Sequence, residues 1–377
     1  MKVACTQEAF SRGLGIVGRA VASRSPLPIT ANVLLITEGE RLKLTATNLE
    51  ITMSCWIAAQ VEEEGSATVP ARLLTDFVSS LPNDRISMSV APRSRQMRLV
   101  CARNEATIGG MDPDDFPPTP AVKDGARVEL DPKGLRQAIG QTVFAAATDD
   151  SRPILTGVLT RLEGNDLTLA ASDGFRLSVY RLSLDKPVDE KTELVIPARA
   201  LSELNRLLGE GEEPITLYTN AARTQVRFEL KNAEMVAQLI QGTFPNFGQL
   251  IPATHTTRAT VDIGDFLRET RIASVFARDG SGIVRLVITP GEELAPGKIV
   301  ISARAEELGD NQGEMDAAVE GEGAKIAFNG KYLQDVLQAL DAGQIALETT
   351  GPSSPGVFRP IGGDNYTHVI MPMFVQW

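Results

Sequence analysis

Aromatic residues make up only 5% of the 377-residue chain, histidine occurs twice and cysteine three times. Each scarcity removes a class of function. The few aromatics do not interleave with basic residues, so there is no row of platforms for stacking single-stranded bases, and duplex is the better nucleic-acid ligand. His255 and His368 have no neighbouring nucleophile or carboxylate pair, which leaves no acid–base or covalent centre to build on them. Cys5, Cys55 and Cys101 lack metal-ligand spacing and each sits in a strand-like run, so they read as buried reduced thiols. No apolar run reaches the roughly 18 residues of a membrane span. The opening MKVACTQEAF has no apolar core and no small-residue cleavage site, and the expected compartment is the cytoplasm. Positive charge is also in deficit: 37 Lys and Arg against 48 Asp and Glu give −11. Taken alone, that balance argues against nucleic acid as a partner.

What is present is repetition. Residues 154–182 read as two strand-like runs joined at EGND, an SDGFR corner and a third run. Leu167, Leu169 and Ala171 alternate with Asp166, Thr168 and Ala170, the period of a half-buried strand. Asp173-Gly174 is a turn dipeptide in which Gly174 is free to take positive φ. The same order of strand, acidic-glycine turn, strand, Asx corner and strand occurs at 32–57. Helical spacing of Phe10, Leu14 and Val21 within 7–22 returns within 131–147 as Leu135, Ile139 and Val143 or Phe144. TVPARLLTDFVSSL returns as VIPARALSELNRLL, with Pro70 suited to a first helical turn, where no N–H is lost. Pro70 and Pro197 lie 127 residues apart, and Phe116 and Phe244 lie 128 apart.

A fainter third unit has an amphipathic helix at 264–278, strand runs GIVRLVITPG and KIVISAR, and AFNGKYLQDVLQALD in the place of the PAR helices. Asn329 stands 132 residues after Pro197. The expected domains are 1–120, 121–253 and 254–377, each with two helices and about eight strands. Such a unit cannot bury both faces of its sheets alone. Neighbouring sheets are therefore expected to join edge to edge, and repeats of this kind can close into rings.

Charge follows the same division. The six predicted helices carry Arg12, Arg19, Arg72, Lys133, Arg136, Arg199, Arg206, Arg268, Arg271, Arg278 and Lys331 against eight carboxylates, about +3, which leaves about −14 for the remainder. If all six helices face one side, that side is basic, and it would hold phosphates through salt-sensitive contacts that read no bases.

Together these residues resemble the bacterial sliding clamp family, the β subunit of the replicative DNA polymerase. The motifs are RSPLPITANVLL and LTATNLEI, then SRPILTGVL, ASDGFRLS and FPNFGQLIP, then FNGKYLQDVL and VIMPMF, and they span the whole chain. The resemblance implies an α+β fold of three tandem clamp-type domains, each with two helices packed on two small antiparallel sheets. It implies a head-to-tail homodimer closed as a ring around duplex DNA without sequence specificity. The role would be that of a DNA polymerase III processivity factor, without catalysis, cofactor or metal.

By matched position, a peptide pocket between the second and third domains is implied at Leu155, Ser172, Gly174, Phe175, Arg176, Leu177, Pro245, Leu250, Asn329, Tyr332, Val369, Met371, Pro372 and Met373. It would receive short motifs from the replicative polymerase, the clamp loader and repair polymerases. Arg24 and Arg152 match DNA-touching positions, and Arg72, Lys133, Arg136, Arg199 and Arg206 are helix cations added to them. Ile108 and Phe276 fall at ring-interface positions. Phe175 stands where the family often has histidine, Gln249 where arginine is common, and 374–377 replaces a shorter basic tail, all of which bear on partner preference.

Two motifs point elsewhere and fail. GEELAPGKI (291–299) has one residue too many between its glycines for a phosphate loop, and an isoleucine where a magnesium ligand belongs. It reads as a hairpin turn. DPDD (112–115) lacks the glycine and closing glutamate of a calcium loop and reads as a linker. The rival functions are a carboxylate-dependent metalloenzyme on a repeated scaffold and a β-rich scaffold protein with no DNA role.

Overall fold

The PAR segments become helices because the preceding residue sets an extended entry and the apolar positions recur at i, i+3 and i+7. The structure is a computed structural model and describes residues 1–22, 27–91, 94–209, 213–278, 281–292, 295–305, 307 and 309–377. Pro70 (φ −55°, ψ 115°) ends a strand and stands at the N-cap of the second helix, α2, one place before the first turn. The first helix, α1 (Gln7–Val17), starts at Thr6, whose hydroxyl accepts from the Ala9 N–H, and buries Phe10, Leu14 and Val17. In α2 (Ala71–Ser80), Ala71, Leu74 and Val78 are buried. The second repeat supplies α3 (Pro132–Thr142) and α4 (Ala198–Leu208), and the third α5 (Ile263–Arg278) and α6 (Gly330–Gln338). Asn329 takes the place of the prolines by a different device: its side chain accepts from the N–H groups of Lys331 and Tyr332.

Both opening helices end earlier than 7–22 and 131–147 suggest. Each tightens into a 3-10 turn, Gly18–Ala20 or Val143–Ala145, and then becomes extended. The cause is a long-range pull on the next residue: Ala22 N–H donates to Thr30 O at 3.2 Å and Ala147 N–H to Leu155 O at 2.9 Å. Helical period cannot register such a bond, since alanine fits either state.

Three antiparallel sheets carry the core. A five-stranded sheet runs Gln60–Glu63, Lys2–Thr6, Arg85–Val90, Gln96–Cys101, Asn104–Gly109. An eight-stranded sheet runs Arg127–Leu130, Ile215–Thr219, Gln225–Glu229, Ala233–Gln238, Ile51–Ala58, Arg41–Thr47, Asn32–Glu38, Ser66–Pro70. The ten-stranded sheet begins Gly157–Ser172, Arg176–Pro197, Tyr366–Ile370, Gly356–Pro360, Gln344–Thr349. It continues Thr257–Asp262, Gly309–Gly321, Gly297–Ala305, Ile283–Thr289, Ala324–Asn329.

Repeats meet inside these sheets: Ile51 faces Ala237 in register, and Arg176 faces Ile370. The edge-to-edge joining expected from the sequence is therefore present at both seams. It also explains why the chain divides into two compact units, Met1–Lys133 with Glu203–Leu239 and Gly134–Ser202 with Ile240–Trp377. Each shared sheet binds part of the middle repeat to one neighbour.

The strand Gly157–Ser172 folds back on itself. Drawn straight, its 16 residues would reach roughly 50 Å. Yet Arg152, five residues before its start, donates to the carbonyl of Asp173, one residue after its end, at 2.9 Å. Five residues and one side chain cannot cover that length. The reversal is at Gly164 (φ +59°), where the pairing register shifts, and Gly39 has the same φ in the first repeat. The EGND turn is thus present within one hydrogen-bonded run.

Two strands were not visible in the sequence. Asn104–Gly109 and Gly309–Gly321 are rich in glycine, acids and amides, and the second is fixed by nine registered pairs with Gly297–Ala305 rather than by apolar alternation.

Candidate functional site

The SDGFR corner is held by its own side chains. The Ser172 hydroxyl accepts from Gly174 N–H (3.1 Å) and donates to Arg176 O (2.7 Å). One carboxylate oxygen of Asp173 accepts from the N–H groups of Phe175 and Arg176 at 2.9 and 3.0 Å. Gly174 has φ +91°, and a Cβ there would lie 2.6 Å from an Arg152 guanidinium nitrogen, so only glycine fits.

Arg176 is the hub. Its guanidinium is 8% exposed and bonds Asp173 (3.0 Å), Asp335 on α6 (2.7 Å) and the carbonyl of Phe144 (2.7 Å). The same cation lies 4.4 Å from the Tyr332 ring centre and 5.4 Å from that of Phe144. A buried cation with every face occupied is held in one orientation. Burial raises the Tyr332 phenol above its ordinary range, with nearby Asp173 adding and Arg176 opposing. Beneath lies His368, fully buried, its Nδ1 2.6 Å from the Ser178 hydroxyl and its Nε2 without a partner. Burial first, and Arg176 second, push its pKa down to about 3, so it is neutral.

The remaining pocket positions gather around this hub. Leu155, Leu177 and Val369 share one buried cluster with Leu159, Val179, Phe244 and Phe247, against which Ile154, Ile240 and Ile251 pack. Met371 N–H donates to Phe175 O and Met373 N–H to Ala327 O, both at 2.8 Å. Asn329 orients Tyr332 through the α6 cap. Phe175, Leu250 and Met371 are exposed, as is Pro245, whereas Pro372 and Met373 are half-buried. All 14 positions lie in the second compact unit. Sequence reading missed Asp173, Asp335 and Phe144 as the groups that fix Arg176. The only available signal for Asp335 was Glu203, which occupies the matching place in the previous PAR helix, 132 residues earlier.

The basic positions divide. Arg72 and Arg199 are exposed and make no ion pair among the described residues. Lys133 and Arg136 are exposed on α3. Arg206 binds Glu203 at 2.7 Å, beside Arg19 at 3.5 Å. Arg12 with Glu8, Arg268 with Asp265 and Lys331 with Asp335 are similarly paired. Phosphates would compete with the chain's own carboxylates at those sites. Arg152, expected at DNA, is turned onto the SDGFR corner. Arg24 lies outside the described residues, as do 293 and 294 of the 291–299 loop.

Ile108 does not offer a side-chain surface: it is 5% exposed, packed into its own sheet, and only the outer backbone edge of its strand is free. Phe276 is half-buried on α5. More exposed apolar side chains are Leu73 on α2 and Ile272 and Val275 on α5. Among the described residues, no cluster of three or more His, Cys, Asp or Glu is placed to hold a metal, and no helix is long and apolar enough to cross a membrane.

Comparison with known proteins decides the family. The models for the DNA polymerase III beta subunit match in chain order: N-terminal domain at 1–120, central domain at 129–246 and C-terminal domain at 248–374. The chain belongs to the bacterial β sliding clamp family. A beta sliding clamp of Synechocystis sp. is 33% identical and one of Staphylococcus aureus 30%, each alignment covering 99% of both chains. The crystal structure of a DNA polymerase sliding clamp from Bacillus subtilis matches with TM-score 0.94 at 28% identity, covering 100% of both chains. A Pseudomonas aeruginosa sliding clamp bound to griselimycin matches at 0.91 and 26%, again over 100% of both chains. A sliding clamp is a processivity factor of DNA polymerase, not a catalyst. The clamp's task is to keep polymerase on DNA during replication.

Proposed function

We propose that the clamp works as a head-to-tail homodimeric ring of three domains per chain, 1–120, 121–253 and 254–377, in the cytoplasm. Duplex DNA passes through the ring, held by exchangeable phosphate contacts from Arg72, Lys133, Arg136, Arg199 and Arg206, with Arg24 and Arg152 at the matched family positions. Closure joins two unlike surfaces. The free edge carrying Ile108 and the exposed Leu73 belong to one, and Phe276, Ile272 and Val275 on α5 belong to the other.

The pocket around Arg176 captures short linear motifs of the replicative polymerase, clamp loader and repair polymerases. Its walls are Leu155, Leu177, Val369, Leu250 and the Pro245 and Met371–Met373 rims, and its polar groups come from Ser172 and Asn329. The observation that carries this reading is Arg176. A guanidinium fixed by two carboxylates and a carbonyl, between two rings, makes a rigid pocket floor beside apolar walls, which suits an extended peptide anchored by leucine or phenylalanine. Peptide binding then raises the partner's local concentration at DNA.

Loading onto closed circular DNA, followed by linearisation, tests the ring. Release on cutting is expected, and retention on the linear product would sink topological enclosure. Titration of a fluorescent partner peptide against Arg176→Ala tests the pocket. Loss of binding with unchanged dimer mass is expected, and unchanged affinity would refute the assignment.

A further inference from the structure

Twelve large apolar side chains are exposed among the described residues. Five of them, Phe175, Leu250, Met371, Phe374 and Trp377, lie on the pocket rim or the segment leaving it. Met371 and Met373 are fastened by their N–H groups at two-residue spacing, continuing the strand Tyr366–Ile370 in extended form. Beyond Met373 the bonding stops: Phe374, Val375 and Gln376 make no backbone hydrogen bond. The far side is held again, by the Lys325 ammonium 5.7 Å from the Trp377 ring centre.

Alternation along an extended chain turns the N–H groups of 372, 374 and 376 away from those of 371 and 373. Pro372 has none, so Phe374 and Gln376 supply the outward donors. Phe374 is 88% exposed on this pinned, unpaired stretch.

We propose that residues 374–376 form a second subsite that continues the peptide pocket. An extended flank of the partner peptide, outside its pocket anchor, adds as a strand along 374–376 and lays an apolar side chain on the Phe374 ring. The occupant follows from continuity: Met371 and Met373 line the pocket and, through the same extended run, present the subsite. The clamp would therefore prefer anchors with an apolar flank over bare anchors. The inference rests on the pocket reading.

The test uses the full-length clamp and three fluorescein-labelled synthetic peptides: a hexapeptide ending Leu-Phe, and the same peptide with Ser-Trp-Ser added before or after it. Fluorescence anisotropy is read against wild type, Phe374→Ser, Gln376→Pro and Arg176→Ala. One extended peptide should bind wild type about tenfold tighter than the hexapeptide. Phe374→Ser should erase that gain and Gln376→Pro should reduce it, with hexapeptide affinity unchanged in both. Arg176→Ala should abolish binding of all three.

A hexapeptide that binds and depends on Arg176, with no gain from either extension or a gain insensitive to Phe374→Ser, overturns the subsite and leaves the pocket standing. Absent hexapeptide binding, or binding indifferent to Arg176→Ala, overturns both. A change in assembly mass for Phe374→Ser, measured by sedimentation, would mean that a second copy of the chain covers the patch, and that outcome also overturns the proposal.

Discussion

The corners at 47–51 and 172–176 are made by the same hydrogen bonds and serve opposite ends. In the first, the Thr47 hydroxyl accepts from Leu49 N–H (3.0 Å) and donates to Ile51 O (3.1 Å), and Asn48 accepts from Ile51 N–H (2.8 Å). Ser172 and Asp173 repeat each bond in the second. The neighbouring strand repeats as well: Gln238 N–H binds Glu50 O at 2.9 Å, as Met371 N–H binds Phe175 O at 2.8 Å.

On this common frame, Ile51 is 2% exposed where the second corner has Arg176, and Leu49 takes φ +78° where the second has Gly174. Val122 is fully buried where, 128 residues later, Leu250 is 47% exposed. The first corner is filled by its own apolar side chains, whereas the second leaves its apolar walls open around a fixed cation. The backbone is the property of the repeat, and two side chains decide whether it packs or binds.

The sharpest way to break the comparison is to cut both corners at the hub. Arg176→Ala leaves two carboxylates and a carbonyl without their donor and should cost about 3–5 kcal/mol, besides its effect on peptide binding. Ile51→Ala removes packing alone and should cost about 2–4 kcal/mol with peptide affinity intact. Urea unfolding alongside the titration separates the two, and loss of peptide binding in Ile51→Ala would end the claim that the first corner only packs. Next, importing the first corner's leucine as Gly174→Leu should cost about 2–3 kcal/mol, because the Arg152 guanidinium fills the space. A stability within error of wild type would show that Arg152 can leave.

A smaller effect comes from beneath the second corner. Ser178 and His368 face each other where the first has Met53 and Met235. His368 has its folded pKa depressed from 6.5 to about 3, so above pH 6.5 neither folded nor unfolded chain carries the proton. Between 6.5 and 3 the unfolded chain binds it and the folded chain does not. Stability from this group therefore falls on acidification, by up to about 1.4 kcal/mol per pH unit. His368→Met should flatten that part of the pH profile in urea melts, and an unchanged slope would assign the acid sensitivity elsewhere. The reverse corner swap, Leu49→Gly, is expected to move stability by no more than about 0.5 kcal/mol, as relief of positive φ is offset by the flexibility of unfolded glycine. A larger change would reveal strain or packing at Leu49 beyond this account.

The corners were legible in the sequence because their chemistry is local. Thr-Asn-Leu and Ser-Asp-Gly each carry their acceptors within three residues of the donors they bind. The PAR prolines and the conserved spacing of Phe116 and Phe244 made the repeat legible for the same reason. What could not be read depends on distant partners. Asp335 meets Arg176 across 159 positions, and nothing in KYLQDVL separates a carboxylate that fixes a buried cation from one that faces solvent. Arg152 looked like a free cation until the Asp173 carbonyl claimed it. Ile108 matched a ring-interface position, yet register in the five-stranded sheet, where it faces Met97, turns it inward.

The seams between repeats also set a timetable for the nascent chain. Ile51 pairs with Ala237 and Arg176 with Ile370, residues 186 and 194 positions apart. At a synthesis rate of about 5–20 residues per second, each edge waits roughly 10–40 s before its partner leaves the ribosome. The strand that waits first, ITMSCWIA, is almost wholly apolar or β-branched, an edge prone to pair with another copy. Birth on the ribosome, more than thermal unfolding, is when this clamp is most exposed to aggregation.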